Sequence, residues 1–242
     1  FKDCYTHVIA SMALPFHKCI SMSDQFSSPT VDAAKSVPVE PIQFVQFPAI
    51  EPPASLKKLI DDWQLIKHRE GGYFKETDRS PFFMDVCDDE EQASGGDVTC
   101  AFGEKAKPDE NTLTVKRNYS TLIYYLLTPD APVGKLHKNK NRIIHILQKG
   151  KGQYVLIYPD GTIKSFKVGF DYANGEVAQW VVPGGVYKAS FLLPNEEFDN
   201  GLLISEVVVP GFEYADHKFM TGEKELVELV GEEKAQGLEF LL

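Results

Sequence analysis

The chain has 242 residues, 43% hydrophobic, 25% charged and 12% aromatic, a composition that can bury a sizeable core and excludes disordered and collagen-like classes. With 35 acidic against 25 basic residues the formal net charge is −10, which repels phosphate backbones and argues against a nucleic-acid partner. No apolar run approaches the roughly 20 residues of a membrane-spanning helix, so no membrane partner and a cytoplasmic location are expected.

Residues 1–54 read as an extended or disordered N-terminal arm. Its first 21 residues lack the unbroken apolar core of a secretion signal, and Asp3 without any arginine argues against a mitochondrial presequence. Met22, opening a Ser/Asp/Pro-rich stretch, is the expected physiological start. Pro29, Pro38, Pro41, Pro48, Pro52 and Pro53 keep the arm extended, with an edge strand expected at 42–47. Ser55 then precedes Leu56, Leu59, Ile60 and Trp63, the stripe of an amphipathic helix with Ser55 as its N-cap.

Residues 55–242 read as one domain interrupted by an acidic, glycine-containing loop at 81–116. Beyond residue 119, short runs rich in β-branched and aromatic residues alternate with turn signals: Pro129-Asp130, Asp160-Gly161, Asn174-Gly175, Pro183-Gly184-Gly185 and Asp199-Asn200-Gly201. That pattern predicts an all-β sandwich or barrel, and Asp160-Gly161 predicts a hairpin with a type I′ turn. Helical spacing returns after Gly222, with Leu226, Leu229 and Val230. Cys4, Cys19, Cys87 and Cys100 form no C-x-x-C pair and are expected to be reduced, idle thiols.

Candidate chemistry concentrates in two places. His137 and His145 fall on neighbouring predicted strands, where they are either a metal pair, an acid–base pair or hydrogen-bonded filling of a barrel. The segment from Lys67 to Thr77 packs ionisable groups around Gly71 and Gly72, and offers His68, Tyr73 and Glu76 as imidazole, phenol and base. Arg142 and Lys188 are candidate anion clamps. There is no G-x-x-x-x-G-K-[ST] loop, G-x-S-x-G elbow or H-E-x-x-H pair.

The run Glu70-Gly71-Gly72-Tyr73-Phe74 with Glu76 and Thr77 resembles the hallmark of a group of uncharacterised small cupins, and the chain is most similar to a fungal member. Four further stretches match in order: Ser120 to Leu127, His137 with His145, Val182-Pro183-Gly184-Gly185, and Val209 to Asp216. The resemblance implies an all-β cupin double-stranded β-helix (jelly roll) with short flanking helices, commonly a homodimer. Superfamily relatives include sugar epimerases, isomerases, metal-dependent oxygenases and seed-storage proteins. A metal-binding cupin's first motif has His-x-His followed by an acidic residue; here Asn139 follows His137, and Ile143 and Ile144 fill the acidic region. Lys188 stands near the second motif's histidine.

A metal-free, cofactor-free pocket for a small-molecule ligand is therefore the expectation. The leading expectation for its activity is isomerase- or epimerase-like acid–base chemistry on a small polar or anionic metabolite. His137 or His145 would take a proton and Tyr73 give one, while His68, Glu76, Arg142 and Lys188 bind the substrate. A non-catalytic ligand-binding or sensor cupin and a metal-dependent oxygenase are the alternatives. Pairing of the arm at 37–53 with a neighbouring sheet predicts a homodimer.

Overall fold

The computed structural model describes residues 26–87 and 114–242. Cys4, Cys19, Cys100, Met22 and most of the acidic loop lie outside the described residues. The chain divides into two compact units, residues 1–25 with 86–115 and residues 26–85 with 116–242. Of the first, the described part is the tips of β3 (Phe83–Cys87) and β4 (Thr114–Asn118), which form a two-stranded ribbon.

The second unit is a jelly roll of two antiparallel sheets. One has the order β1-β2-β5-β12-β7-β10 and the other β13-β6-β11-β8-β9. The first comprises β1 (Ile66–Lys67), β2 (Tyr73–Arg79), β5 (Thr121–Leu127), β7 (Arg142–Gly150), β10 (Gln179–Val182) and β12 (Leu202–Val209). The second comprises β6 (Val133–Asn139), β8 (Gly152–Ile157), β9 (Ile163–Val168), β11 (Tyr187–Leu192) and β13 (His217–Phe219).

Period-2 alternation assigns each strand's side chains to one of two cores. On β8, Tyr154 and Leu156 enter a cluster between the sheets with Tyr125, Leu127, Leu147, Phe166, Trp180 and Ile204. Val155 and Ile157 face the other way. There they meet Leu226 and Val230 of α4 (Glu223–Val230) and Ala235 of α5 (Glu232–Ala235). Both faces of β8 are covered, so its six residues are all buried. A third cluster, Ile60, Leu65, Tyr73, Leu126 and Leu203, lies beneath α3 (Ala54–Trp63) on the outer face of the six-stranded sheet.

Three local expectations are corrected. Residues 42–47 form no strand; α1 (Pro29–Ala33) and α2 (Gln43–Gln46) are short helices, and α2 buries Val45 against the same cluster as Ile42. Val45 and Gln46 both donate their backbone N–H groups to the carbonyl of Ile42, so local bonds satisfy a segment bracketed by Pro41 and Pro48. The N-cap of α3 is Pro53, and Ser55 sits in the first turn with its hydroxyl on the Asp199 carboxylate. At Asp160-Gly161 only the glycine has positive φ, 78°. Asp160 Oδ1 accepts the N–H of Thr162 at 2.9 Å, an Asx-type turn that needs no positive φ at Asp160.

The packing makes a simple contrast. Leu156→Ala removes a fully buried side chain between the sheets and should cost about 3 kcal/mol. Ile66→Ala, at a position 61% exposed, should stay within about 0.5 kcal/mol. Urea unfolding of the two variants beside the parent measures both.

Candidate functional site

The turn between β1 and β2 is built around two glycines, Gly71 and Gly72, both at positive φ. Gly71 has φ 106°, and an added Cβ would stand 2.0 Å from the carbonyl oxygen of Val133. Only glycine lets the turn lie this close to β6. Lys135 donates its N–H to Glu70 O at 2.7 Å, and the Tyr125 hydroxyl donates to Gly71 O at 3.0 Å. So pinned, the turn directs the Glu70 side chain to a cluster of imidazoles.

Glu70 is 7% exposed. Its Oε1 accepts a hydrogen bond from His217 Nε2 at 2.8 Å, while Oε2 lies 3.2 Å from His137 Nε2 and 3.5 Å from His68 Nδ1. Burial alone would raise the Glu70 pKa, but the neighbouring His137, the hydrogen bond from His217, His68 and the Lys188 charge together hold it well below the ordinary carboxylate range. Burial pushes the His137 imidazole down to about 3 in spite of Glu70, and burial likewise lowers His68. Glu70 is thus the anion of the cluster and His137 a neutral base.

Hydrogen-bond partners fix the tautomers of two of these rings. His137 Nδ1 is 2.7 Å from the carbonyl of Lys135, which can only accept. The ring therefore carries its proton there, and Nε2 presents a lone pair that has no hydrogen-bond partner. His68 Nδ1 accepts the N–H of Glu70 at 3.3 Å, which puts the proton of the neutral ring on Nε2.

A second polar group lies deeper. Strand register sets Lys188 opposite His137 and Glu206 opposite His145. Lys188 Nζ donates to Glu206 Oε2 at 2.8 Å and lies 3.0 Å from His145 Nε2. His145 is fully buried, stacked on Trp180 with ring centroids 5.0 Å apart, and set against Tyr154. Burial and the Lys188 charge push its pKa well below the usual value.

A cavity of about 200 Å³ adjoins the Glu70 cluster, lined by His68, Arg69, Tyr214, His217 and Phe219. The Arg69 guanidinium lies 5.8 Å from the centre of the Tyr214 ring. A larger depression of about 480 Å³ beside β7 and β10 is lined by Phe170, Tyr172 and Gln179. Its carboxylate, Glu176, is already held by Lys151 and the N–H of Asp171, so chemistry favours the smaller cavity.

Four of the sequence-predicted residues, His68, His137, His145 and Lys188, come together; Tyr73, Glu76 and Arg142 do not join them. Tyr73 alternates with Phe74 along β2 and points to the outer cluster beneath α3, its hydroxyl on Asp130 Oδ2 at 2.8 Å. Phe74 takes the inward side, edge-on to His68. Glu76 is exposed and grips Arg79 through two bonds of 2.9 Å. Arg142 is exposed at the start of β7. A different phenol, Tyr125, stands edge-on to His68 with ring centroids 6.3 Å apart, and burial raises its pKa well above its usual value.

Sequence reasoning missed Arg69, Glu70, Glu206 and His217 as site residues. Glu70 begins the Glu-Gly-Gly-Tyr-Phe motif, and His217 immediately follows the matched stretch ending at Asp216, so adjacency to motifs was the available signal. The expected metal-free pocket rested on the departures at Asn139, Ile143 and Lys188. The structure assembles another donor set, Glu70, His137 and His217, whose ligand atoms all lie within 4.8 Å of one another.

A buried ion pair holds His217 in register. Arg117 Nε and Nη2 bond Asp216 Oδ2 and Oδ1 at 2.7 and 2.8 Å, and Asn141 Nδ2 adds a bond of 3.1 Å to Oδ2. Asp216→Ala, which removes the carboxylate from this buried pair, should destabilise by about 3–5 kcal/mol in urea unfolding. Asp216→Asn, which keeps an acceptor, should cost less.

Comparison with known proteins adds the following. The family model described as Cupin superfamily (DUF985) matches residues 57–220, a span that contains every member of both polar groups. The uncharacterised protein YML079W of Saccharomyces cerevisiae is 66% identical over 214 residues, covering 88% of this chain and 99% of its own. A hypothetical protein from Leishmania major superposes with TM-score 0.54 at 26% identity, over 72% of this chain and 90% of that one. Protein SO0799 from Shewanella oneidensis gives TM-score 0.56 at 22% identity, over 77% and 96%.

Proposed function

The chain belongs to the cupin superfamily (DUF985), and from that premise we propose that it is an isomerase- or epimerase-like enzyme moving a proton on a small anionic metabolite held at the mouth of its barrel. The observation that carries this reading is the 2.8 Å bond between Glu70 and His217 in the wall of the cavity. A buried carboxylate that accepts the Nε2 proton of an imidazole fixes its tautomer and leaves Nδ1 as the base.

The substrate's charge is met by Arg69, which lines the cavity. His217 then takes a proton from a carbon next to a carbonyl; the C–H electron pair forms the enolate C=C bond as the carbonyl π pair moves onto oxygen. Neutral His68 donates through Nε2 to that developing oxyanion, a role that does not require imidazolium. His217 passes its proton to water, and a water proton delivered to the opposite face of the carbon completes an epimerisation. Tyr73 has no part in this scheme, and His137 and His145 are replaced as base by His217.

The rest of the reading follows the charge and the fold. A net charge of −10 argues against nucleic acid. No helix among the described residues is long and apolar enough to cross a membrane. We retain the cytoplasmic location and the homodimer as parts of the proposal. The unpaired backbone edge of β1 supports pairing between copies, and light scattering at micromolar concentration should give twice the monomer mass.

Incubation in deuterium oxide with a panel of keto acids and sugar nucleotides should introduce one deuterium into at least one compound. His217→Asn should slow that exchange at least 100-fold, within the range of general-base catalysis. Absence of exchange across the panel overturns the reading. A second reading, a binder without turnover, is favoured by the lining of Arg69, Tyr214 and Phe219, which can hold a small anion with no acid–base step. Thermal stabilisation by a panel compound, abolished in Arg69→Ala and unaccompanied by exchange, identifies that case.

A further inference from the structure

We propose that Glu70, His137 and His217 form a binding site for one divalent first-row transition ion, with two imidazole nitrogens and a carboxylate as donors and its open coordination positions toward the mouth cavity. The inference rests on the same centre as the proton-transfer reading, sharing Glu70 and His217 with it, and adds His137.

Distances come first. The carboxylate oxygens of Glu70 lie 2.8 Å from His217 Nε2 and 3.2 Å from His137 Nε2. Neighbouring donors around an ion bound at about 2.0–2.2 Å stand about 3 Å apart. The three groups come from the turn before β2, from β6 and from β13, and their ligand atoms all lie within 4.8 Å of one another. The His137 and His217 rings are already nearly parallel, 18° between planes, with centroids 5.1 Å apart.

The second observation is His137 itself. It is 4% exposed, and its Nε2 lies 3.2 Å from Glu70 Oε2 with no hydrogen-bond partner. A ring nitrogen and a carboxylate oxygen this close, with no hydrogen bond between them, are a donor pair that one cation can bridge. Its other nitrogen donates to the Lys135 carbonyl at 2.7 Å, the outer contact by which proteins orient metal-binding imidazoles and raise their basicity.

The donor set defines the ligand class. Two imidazoles and a carboxylate suit borderline ions such as zinc, iron, cobalt or manganese in the divalent state, whereas soft copper(I) prefers sulfur. Three protein donors leave positions for water or for an oxygen of an anionic metabolite, unlike closed structural sites with four. Deeper coordination is blocked because Lys188 already occupies Glu206 Oε2 and lies against His145 Nε2. The ion and the Nε2 proton of His217 claim the same atoms, so the loaded centre and the proton-transferring dyad are alternative forms of one site.

The test uses the full chain stripped with a chelator and titrated with cobalt(II), followed by calorimetry and by visible absorption. One ion per chain is expected, and Glu70→Gln and His137→Asn should each weaken binding at least tenfold. Zinc-edge X-ray absorption of the unmutated, zinc-loaded protein guards against variants that fail to fold; it should show two imidazoles and an oxygen at about 2.0–2.2 Å. Binding of less than a tenth of an equivalent at millimolar cobalt overturns the proposal, as does a zinc shell without imidazole or unchanged affinity in both folded variants. Stoichiometric binding with no deuterium exchange in the stripped or the loaded protein removes the proton-transfer reading alone. Exchange in stripped protein that binds no ion removes the metal site alone.

Discussion

A carboxylate taken out of water must be met by donors or by positive charge, and Glu70 organises the mouth of this barrel around that requirement. Left alone, a buried glutamate takes up a proton. Here His217 donates to one oxygen, and His137, His68 and the field of Lys188 surround the rest. The turn that presents Glu70 depends in turn on a glycine pressed against the backbone of β6. Backbone geometry, charge and imidazole placement are therefore one constraint, and altering any of them disturbs the others.

What the sequence made legible follows from what is local. Turn residues every ten or so positions and β-branched runs mark strands without reference to the fold, and the two-sheet architecture is as expected. The face to which a strand residue points is not local. A slip of one residue exchanges inside for outside, and this is why the sequence points to Tyr73 as a pocket residue while its neighbour Phe74 is the one that touches His68. Glu76 went the same way: exposed on β2, it meets Arg79 rather than a ligand.

The residues that sequence reasoning missed are separated along the chain. Glu70 and His217 are 147 positions apart, and only the pairing of β13 with β6 brings His217 alongside His137. Nothing in the spacing of either residue announces this. The same applies to Glu206, which reads as a charge in an apolar strand until register places it opposite His145. Capping and turn chemistry failed for a different reason. Ser55 and Asp160 have more than one way to use a side-chain oxygen, and tertiary neighbours chose between them.

The two polar groups divide the barrel into compartments with different physics. In the deeper one the cation is covalently part of the chain. Lys188 neutralises Glu206 and accompanies His145, while Trp180 and Tyr154 pack around them in place of water. An ammonium on a tether cannot leave, exchange or accept an electron pair from a substrate, so the charges of this region are met within the chain, while His145 Nδ1 and Trp180 Nε1 stay without a hydrogen-bond partner. Near the mouth the balance is incomplete: the His137 lone pair has no partner, and Arg69 and His217 line open space. Binding chemistry therefore belongs to the outer compartment, where a guest or an ion can still improve the electrostatics, and not to the inner one, where the protein has already done so with its own lysine.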